Sequence, residues 1–333
     1  MKMSVKKPKI SIVIPMYNAE KTIKKTLDSI YKNPFKDFEV IVINDGGTDN
    51  SVEITKKYPV KIFHQRNLGV SEARNVGVKN SNSDLILFVD SDVVLPPYTL
   101  EKVYETFKNN KINVLQGIPD IGVHYRNKIS DYENLYLHYH FSKQNDTLNS
   151  FYTGFVVIRK SLFEKFEGFN KKIRILEDGE FGQRLLNAGN VIHLDKSLKF
   201  LHLRNFSLYE YMHRQIIKAS VFLIIKLRSI TEATMPKKSH DVSFLYQLGI
   251  PLSLLIPISL IFSFILPSLI PLCFLIFVFI TLILINIKML IFMAKKRGFM
   301  FFISSYFIIL LNYWCYFIGL CYGSIIFLIG ERY

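Results

Sequence analysis

Cysteine is scarce in these 333 residues: Cys273, Cys315 and Cys321 are the only three, and all lie in the apolar C-terminal third. That excludes a disulfide-stapled module and leaves no cysteine cluster for structural zinc, so the three read as small apolar side chains. Acidic residues are also in short supply, 27 against 42 Lys and Arg, for a formal net charge of +15. No Gly-x-Gly-x-x-Gly fingerprint follows the first apolar run, which argues against a dinucleotide fold. Charge itself is missing from residues 249–287 and again from 299–330. What is plentiful is aromatic, with 28 Phe and 18 Tyr, a composition that no disordered chain carries.

The two charge-free stretches organise the C-terminal part. The first is too long for one membrane span of roughly 20 residues and suits two. Pro267 and Pro271 mark a turn between them, and Pro251 and Pro257 fall inside the first span, where membrane helices tolerate proline. The expected spans are 246–266, 269–292 and 299–329. Lys295-Lys296-Arg297 lies between the second and third. Short basic loops stay cytoplasmic, which puts residues 1–245 on the cytoplasmic side; Lys237 and Lys238 agree. Excess positive charge suits either nucleic acid or anionic lipid, and the apolar tail decides for membrane lipid, with no nucleic acid partner. Between 207 and 228, Leu208, Tyr211, Met212, Ile216 and Ile217 alternate with Arg214, Lys218, Lys226 and Arg228, the pattern of helices lying in the membrane interface.

The N-terminal part alternates strand and helix. Ile10–Ile14, Phe38–Ile43, Val60–Phe63 and Leu85–Val89 read as strands, and Ile23, Leu27 and Ile30 and then Val70–Lys79 as helices. Such alternation implies an α/β fold with a mostly parallel central sheet, which binds ligands at the C-terminal ends of its strands. Asp90-Ser91-Asp92 follows one such strand. Two carboxylates at that spacing hold a hard divalent ion against substrate phosphates, or else form a solvated turn. Asp45 ends another strand; it accepts a hydrogen bond from a nucleobase N–H, with Gly46 and Gly47 allowing close approach, or belongs to an ordinary Asp-Gly turn. Arg66 and Arg74 are candidates for phosphate contacts.

Further on, Val114–Gly117 and Phe155–Arg159 read as strands, with Thr153-Gly154 just ahead of the second. Residues 124–146 crowd His124, Tyr125, Tyr132, Tyr136, His138, Tyr139, His140 and Phe141, which suits sugar stacking or the lipid headgroup layer. Asp178 opens a helical stripe of Phe181, Leu185 and Leu186. It either caps that helix or serves as a general base for a hydroxyl, a poor nucleophile until its proton is taken. His202 lies near the end of the strand Leu198–Leu203 and either completes a metal or phosphate site or is structural.

Taken in order, Pro15-Met16-Tyr17-Asn18, Asn44-Asp45-Gly46-Gly47-Thr48-Asp49, Asn67-Leu68-Gly69-Val70-Ser71-Glu72-Ala73-Arg74-Asn75, Phe88-Val89-Asp90-Ser91-Asp92 and Glu177-Asp178 resemble family 2 glycosyltransferases over residues 9–210. The resemblance implies a GT-A nucleotide-diphospho-sugar transferase fold, followed here by interfacial and transmembrane helices. It implies a catalytic domain at 1–205 (nucleotide half 1–95, acceptor half 96–205), interfacial helices at 206–245 and a membrane domain at 246–333. It implies a nucleotide-sugar donor, UDP- or GDP-linked, with inversion at the anomeric carbon and Mn2+ or Mg2+ as the ion. Pro15, Tyr17, Glu20 and Asp45 would surround the nucleoside, with Arg74 nearby. Asp92 would be the main metal ligand, Asp90 would contact the ribose or a metal-bound water, Ser91 would join the donor site, and His202 would complete the metal site. Asp178 would be the base, and Glu177 would assist acceptor binding beside Thr153 and Gly154. Asn44 stands where the family usually has Asp.

The Glu177-Asp178 pair favours a hydroxyl acceptor, such as a lipid-linked saccharide, over a polyprenyl phosphate, which is already anionic. The Gln-x-x-Arg-Trp motif of processive relatives is absent, since Trp314 is the only tryptophan, so one sugar per encounter is expected. The alternatives are a polyprenyl-phosphate glycosyltransferase and a non-catalytic nucleotide-binding membrane scaffold.

Overall fold

The computed structural model describes residues 7–109, 111–122, 127–149, 151–173, 176–231, 244–266 and 268–329. His124, Tyr125, Lys237, Lys238 and the Pro267 turn lie outside them. In chain order the elements are β1 (Ile10–Met16), α1 (Ile23–Tyr31), β2 (Phe38–Asn44), α2 (Ser51–Thr55), β3 (Lys61–His64), α3 (Val70–Lys79), β4 (Leu85–Val89), β5 (Val93–Val94), α4 (Thr99–Asn109) and β6 (Val114–Pro119). They continue as α5 (Lys128–Lys143), β7 (Thr147–Leu148), β8 (Phe155–Arg159), α6 (Lys160–Lys165), α7 (Glu177–Asn187), β9 (Ile192–His202), α8 (Leu208–Thr231), α9 (Phe244–Ile265), α10 (Ile270–Arg297) and α11 (Phe299–Ile329). Two compact units result: residues 1–124 with 140–204, and residues 125–139 with 205–332.

The first unit is built on a sheet ordered β3-β2-β1-β4-β8-β6-β9-β5, with β7 paired to β9. β8 runs antiparallel to β4 and β6, and β5 and β7 antiparallel to β9; the other six strands described share one direction. β1 and β4 are buried along their whole length, because layers cover both faces of the sheet. On one face Ile10, Ile12, Ile14, Val40, Val42, Leu85 and Leu87 pack with Ile23, Leu27 and Ile30 of α1 and Leu100 and Val103 of α4. On the other, Ile41 and Ile43 meet Ala73 of α3.

β9 is longer than the expected 198–203 strand. Its residues alternate between buried and open, but Asp195-Lys196-Ser197 in the middle breaks the apolar signal. Because Val89 pairs with Phe155, the residues just beyond the pair, Asp90 and Gly154, are neighbours at the C-terminal edge of the parallel strands.

In the second unit, α9, α10 and α11 are long and apolar enough to cross a membrane, which makes this a multi-pass membrane protein. α9 contains Pro251 and Pro257. Asn286 on α10 donates to the Tyr313 hydroxyl on α11 at 2.8 Å, satisfying both polar groups within the bundle. The stretch expected as interfacial helices is described as far as Thr231, and there it is one helix, α8, packed lengthwise along α11. Gly319 and Gly323 make this possible: a Cβ at Gly319 would lie 2.3 Å from the Ile216 carbonyl oxygen, and one at Gly323 would lie 2.7 Å from that of Ser220. Two small residues four apart let the backbones touch, with both helices running the same way. Arg297 is drawn inward at the α10 end, donating to both carboxylate oxygens of Asp131 at 2.7 and 3.0 Å.

Candidate active site

Asp90 and Asp92 face one side, as the spacing suggested, although through a turn rather than an extended segment: the Val93 amide donates to the Asp90 carbonyl at 3.1 Å. β5 then pairs with β9, Val93 opposite His202, which brings residues over 100 positions apart into contact. The His202 Nε2 lies 3.0 Å from Asp92 Oδ1. Arg204 donates through Nε to Asp92 Oδ2 at 3.2 Å and through Nη2 to Asp90 Oδ2 at 3.0 Å. Burial pushes the Asp92 carboxyl up, but the neighbouring His202 and Arg204 outweigh it and hold the carboxyl well below the usual carboxylate range.

These residues fit a divalent ion. Asp90, Asp92 and His202 each offer a ligand atom, all within 4.8 Å of one another, the only such group among the described residues. Two carboxylate oxygens and an imidazole suit Mn2+ or Mg2+. His138, by contrast, stacks on Phe292.

A second constellation adjoins the first. Arg74 is 3% exposed and donates to Asp90 Oδ1 at 2.8 Å and to Glu177 Oε1 at 2.6 Å. Each terminal nitrogen thus donates to a carboxylate, and Arg74 is a buried bridge between Asp90 and Glu177. Burial opposes its charge, but Asp90, Glu177 and Asp178 together hold it protonated. Glu177 feels the opposite balance: burial and the adjacent Asp178 raise its carboxyl to about 7 against the pull of Arg74.

Asp178 lies in the first turn of α7, one residue past its start, so it is not the cap. Leu176, in the cap position, takes a left-handed conformation (φ 65°). Asp178 Oδ1 accepts from the Gly179 amide at 2.8 Å, and Oδ2 faces the Thr153 amide at 3.5 Å. The helix N-terminus favours the negative charge there. α7 is anchored by Phe181, which packs among Phe151, Phe163 and Phe169 at ring separations of 5.0–5.3 Å.

The segment 152–154 joins the two constellations. The Tyr152 hydroxyl meets His202 Nδ1 at 3.2 Å, and the next residue, Thr153, is the one whose amide faces Asp178. Buried Gln116 holds the segment by accepting from the Tyr152 amide at 3.0 Å and donating to the Phe155 carbonyl at 2.6 Å. Asp92 and Asp178 are therefore linked through His202, Tyr152 and Thr153, while Asp90 reaches Glu177 through Arg74. Thr153 and Gly154 are buried between these groups.

The expected nucleoside residues gather at the ends of β1 and β2. Pro15 is buried opposite Ile43, Tyr17 is 52% exposed, and Glu20 accepts from the Asn50 amide at 3.3 Å. Asp45 accepts from Gln65 Nε2 and the Leu68 amide on Oδ1, and from the Gly69 amide on Oδ2. A carboxylate has about four acceptor positions, so one on Oδ2 is left for an outside donor. Gly46 sits at φ 78°, and a Cβ there would come within 2.9 Å of the Asn67 amide nitrogen. Asn44 supports this loop, accepting from the Gly47 amide at 3.1 Å and contacting His64. The Ser91 carbonyl accepts from Thr26. Arg66 is exposed.

Sequence reasoning missed Arg204 and Tyr152. A signal for Arg204 existed: it lies two residues after His202, on the same side if the strand continues. Tyr152 carried none beyond its place next to Thr153.

Residues 11–166 match the family described as Glycosyl transferase family 2. Among curated proteins, the chain is 28% identical over 219 residues to Glycosyltransferase GlyA of Streptococcus pneumoniae serotype 4, covering 60% of this chain and 31% of that one. It is 34% identical over 113 residues to the uncharacterized glycosyltransferase EpsJ of Bacillus subtilis, covering 32% of this chain and 33% of the relative. The chain thus spans about a third of the length of these relatives. Among solved structures it resembles the mannosyltransferase PcManGT from Pyrobaculum calidifontis in complex with GDP-Man and Mn2+ (TM-score 0.53, 15% identity, 68% of this chain and 65% of that one). It also resembles S. aureus TarS 1–349 in complex with UDP-GlcNAc (TM-score 0.53, 18% identity, 98% and 93%). At these identities the likeness is one of fold, and the fold is GT-A.

Proposed function

We propose, from the match of residues 11–166 to glycosyltransferase family 2, that this chain is an inverting glycosyltransferase. It moves one sugar from a nucleotide-sugar donor to a hydroxyl of a membrane-associated acceptor, a lipid-linked saccharide or glycolipid. The observation that carries this reading is the hydrogen-bonded path from Asp92 through His202, Tyr152 and Thr153 to Asp178. It sets a cation-binding group and a lone carboxylate around one segment, which is what single displacement needs.

Asp92, Asp90 and His202 would hold the divalent ion, and Mn2+ with a nucleotide sugar is the ligand pair in the archaeal structure of this fold. When bound, the ion neutralises the charge growing on the leaving nucleoside diphosphate. Pro15, Tyr17 and Glu20 flank the nucleoside, and Asp45 offers its remaining acceptor to the base. Asp178 takes the proton of the acceptor hydroxyl as that oxygen bonds to the anomeric carbon and the carbon–diphosphate bond breaks on the opposite face. Arg74 and Glu177 keep α7, and so Asp178, in position, with Thr153 and Gly154 lining the acceptor side. A hydroxyl needs such a base and a polyprenyl phosphate oxygen does not, which supports the hydroxyl acceptor. The exposed Lys295 and Lys296 support a cytoplasmic catalytic unit, and anionic lipids would meet them there.

The test supplies detergent-solubilised enzyme with Mn2+ or Mg2+, a panel of UDP- and GDP-sugars, and either extracted lipid-linked saccharides or polyprenyl phosphate. Mass spectrometry reads the product. Transfer to the saccharide is expected, and Asp178→Asn abolishes it while donor binding persists. Near-normal turnover by that variant refutes the base; product on polyprenyl phosphate alone refutes the acceptor.

A further inference from the structure

The second unit contains a cavity of about 60 Å³, lined by polar and apolar atoms alike, that the transfer chemistry does not use. It is lined by Tyr132 and Glu133 of α5, Tyr211 and Lys218 of α8, and Asn312 and Tyr316 of α11. Polar side chains converging inside a unit built on three membrane-crossing helices are costly, and such convergence marks a site.

Its chemistry narrows the occupant. Lys218 Nζ lies 3.4 Å from Glu133 Oε1, so the two charges cancel locally. An anion would find its cation already neutralised and a carboxylate facing it. Asn312 is 4% exposed; its Nδ2 donates to the Tyr132 hydroxyl at 3.4 Å, whereas its Oδ1 has no hydrogen-bond partner. A buried acceptor without a donor is unfavourable, and the group that relieves it must bring an N–H or O–H. Tyrosine hydroxyls both give and accept, and their rings offer faces for C–H-rich surfaces. The occupant is therefore uncharged, rich in hydroxyls and amphipathic by face. The space exceeds that of one water, which needs about 10–15 Å³, and suits the edge of one ring rather than an oligosaccharide.

We propose that this cavity is a sugar-binding site that takes the hydroxyl edge of a neutral saccharide, either free or carried as a membrane lipid's headgroup. It is separate from the Asp90–Asp92–Asp178 constellation and requires neither nucleotide nor metal ion.

The test uses the full chain in phosphatidylcholine nanodiscs without nucleotide or metal. One arm adds monoglucosyl diacylglycerol, a second adds phosphatidic acid at equal mole fraction, and a third adds methyl glucoside in solution. Native mass spectrometry counts what is retained. Expected is retention of the glucolipid or of methyl glucoside at least about fivefold above phosphatidic acid, the responding arm identifying the source. Asn312→Leu, and Tyr316→Phe, which keeps the ring and removes only the hydroxyl, should each lower that retention at least about fivefold. The proposal is overturned if neither sugar is retained, if phosphatidic acid is retained better, or if folded Tyr316→Phe and Asn312→Leu proteins both bind as wild type does. Because no donor is present, such a failure leaves the transferase reading untouched.

Discussion

Replacing Arg74 by methionine removes the cation from a buried carboxylate–guanidinium–carboxylate bridge. Asp90 keeps Arg204 as a partner, but Glu177, whose side chain is 9% exposed, then has only the apolar stem of the new residue beside it. Removing one partner of a buried pair costs about 3–5 kcal/mol, because the surviving charge stays desolvated. The cost is larger at pH 8 than at pH 6: wild-type Glu177 is ionised at pH 8, and without Arg74 its carboxyl rises further, so the stranded group must stay charged or take up a proton. The bridge ties α3 to the end of β4 and the start of α7, so the loss should appear as local opening there. At about 1.4 kcal/mol per decade, amide exchange across 177–187 and 85–92 should quicken by about two to four decades at pH 8. Arg74→Lys should fall between, since an ammonium is a single compact charge. Arg74→Met combined with Glu177→Leu should recover most of the protection, because no buried carboxylate is then stranded on α7. Hydrogen exchange with mass spectrometry on the solubilised full chain reads all four proteins. Wild-type protection in Arg74→Met at pH 8 would refute the bridge as the element that holds α7.

Three further expectations follow from the same geometry. Glu177 is protonated up to about 7 when folded, against an ordinary value of 4.5, so the folded state holds a proton that the unfolded chain has already lost. Between those values stability therefore falls as pH rises, by roughly 3 kcal/mol from this group. Thermal melts from pH 4 to 8 should show that fall in wild type and not in Glu177→Gln; parallel profiles would contradict it. Arg204→Gln withdraws a positive charge from the two carboxylates an ion would use, and should tighten Mn2+ binding without nucleotide at least about fivefold, read by electron paramagnetic resonance. Weaker binding would mean that Arg204 organises the carboxylates instead of competing for them. Gly319→Leu drives a side chain into the α8 backbone and should cost about 1–3 kcal/mol. Maleimide labelling of Cys315, 1% exposed on the same helix, should rise, and unchanged labelling would argue against the close α8–α11 contact.

Local patterning alone marked part of the regular structure. Near-continuous apolar runs marked β1, β2, β4 and β8, helical spacing marked α1 and α3, and loss of charge marked the three membrane helices. These signals are read within ten or twenty residues, so no knowledge of partners is required. Motif residues at strand ends were legible for the same reason: Asp45, Asp90 and Asp92 each follow an apolar strand. Tertiary structure decided which distant groups meet. Arg204 reaches Asp92 only because β5 pairs with β9, and Arg74 is buried only because Glu177 arrives from 103 positions away. The same holds for α8, whose charged and apolar pattern gives no sign that Gly319 and Gly323 admit it to α11. The tyrosine-rich stretch at 127–139 suited sugar stacking or the lipid headgroup layer, and only the fold joins it to the membrane unit. A chain encodes its periodicity residue by residue, whereas burial and ion pairing are properties of pairs, and a pair exists only once folding has closed the loop between its members.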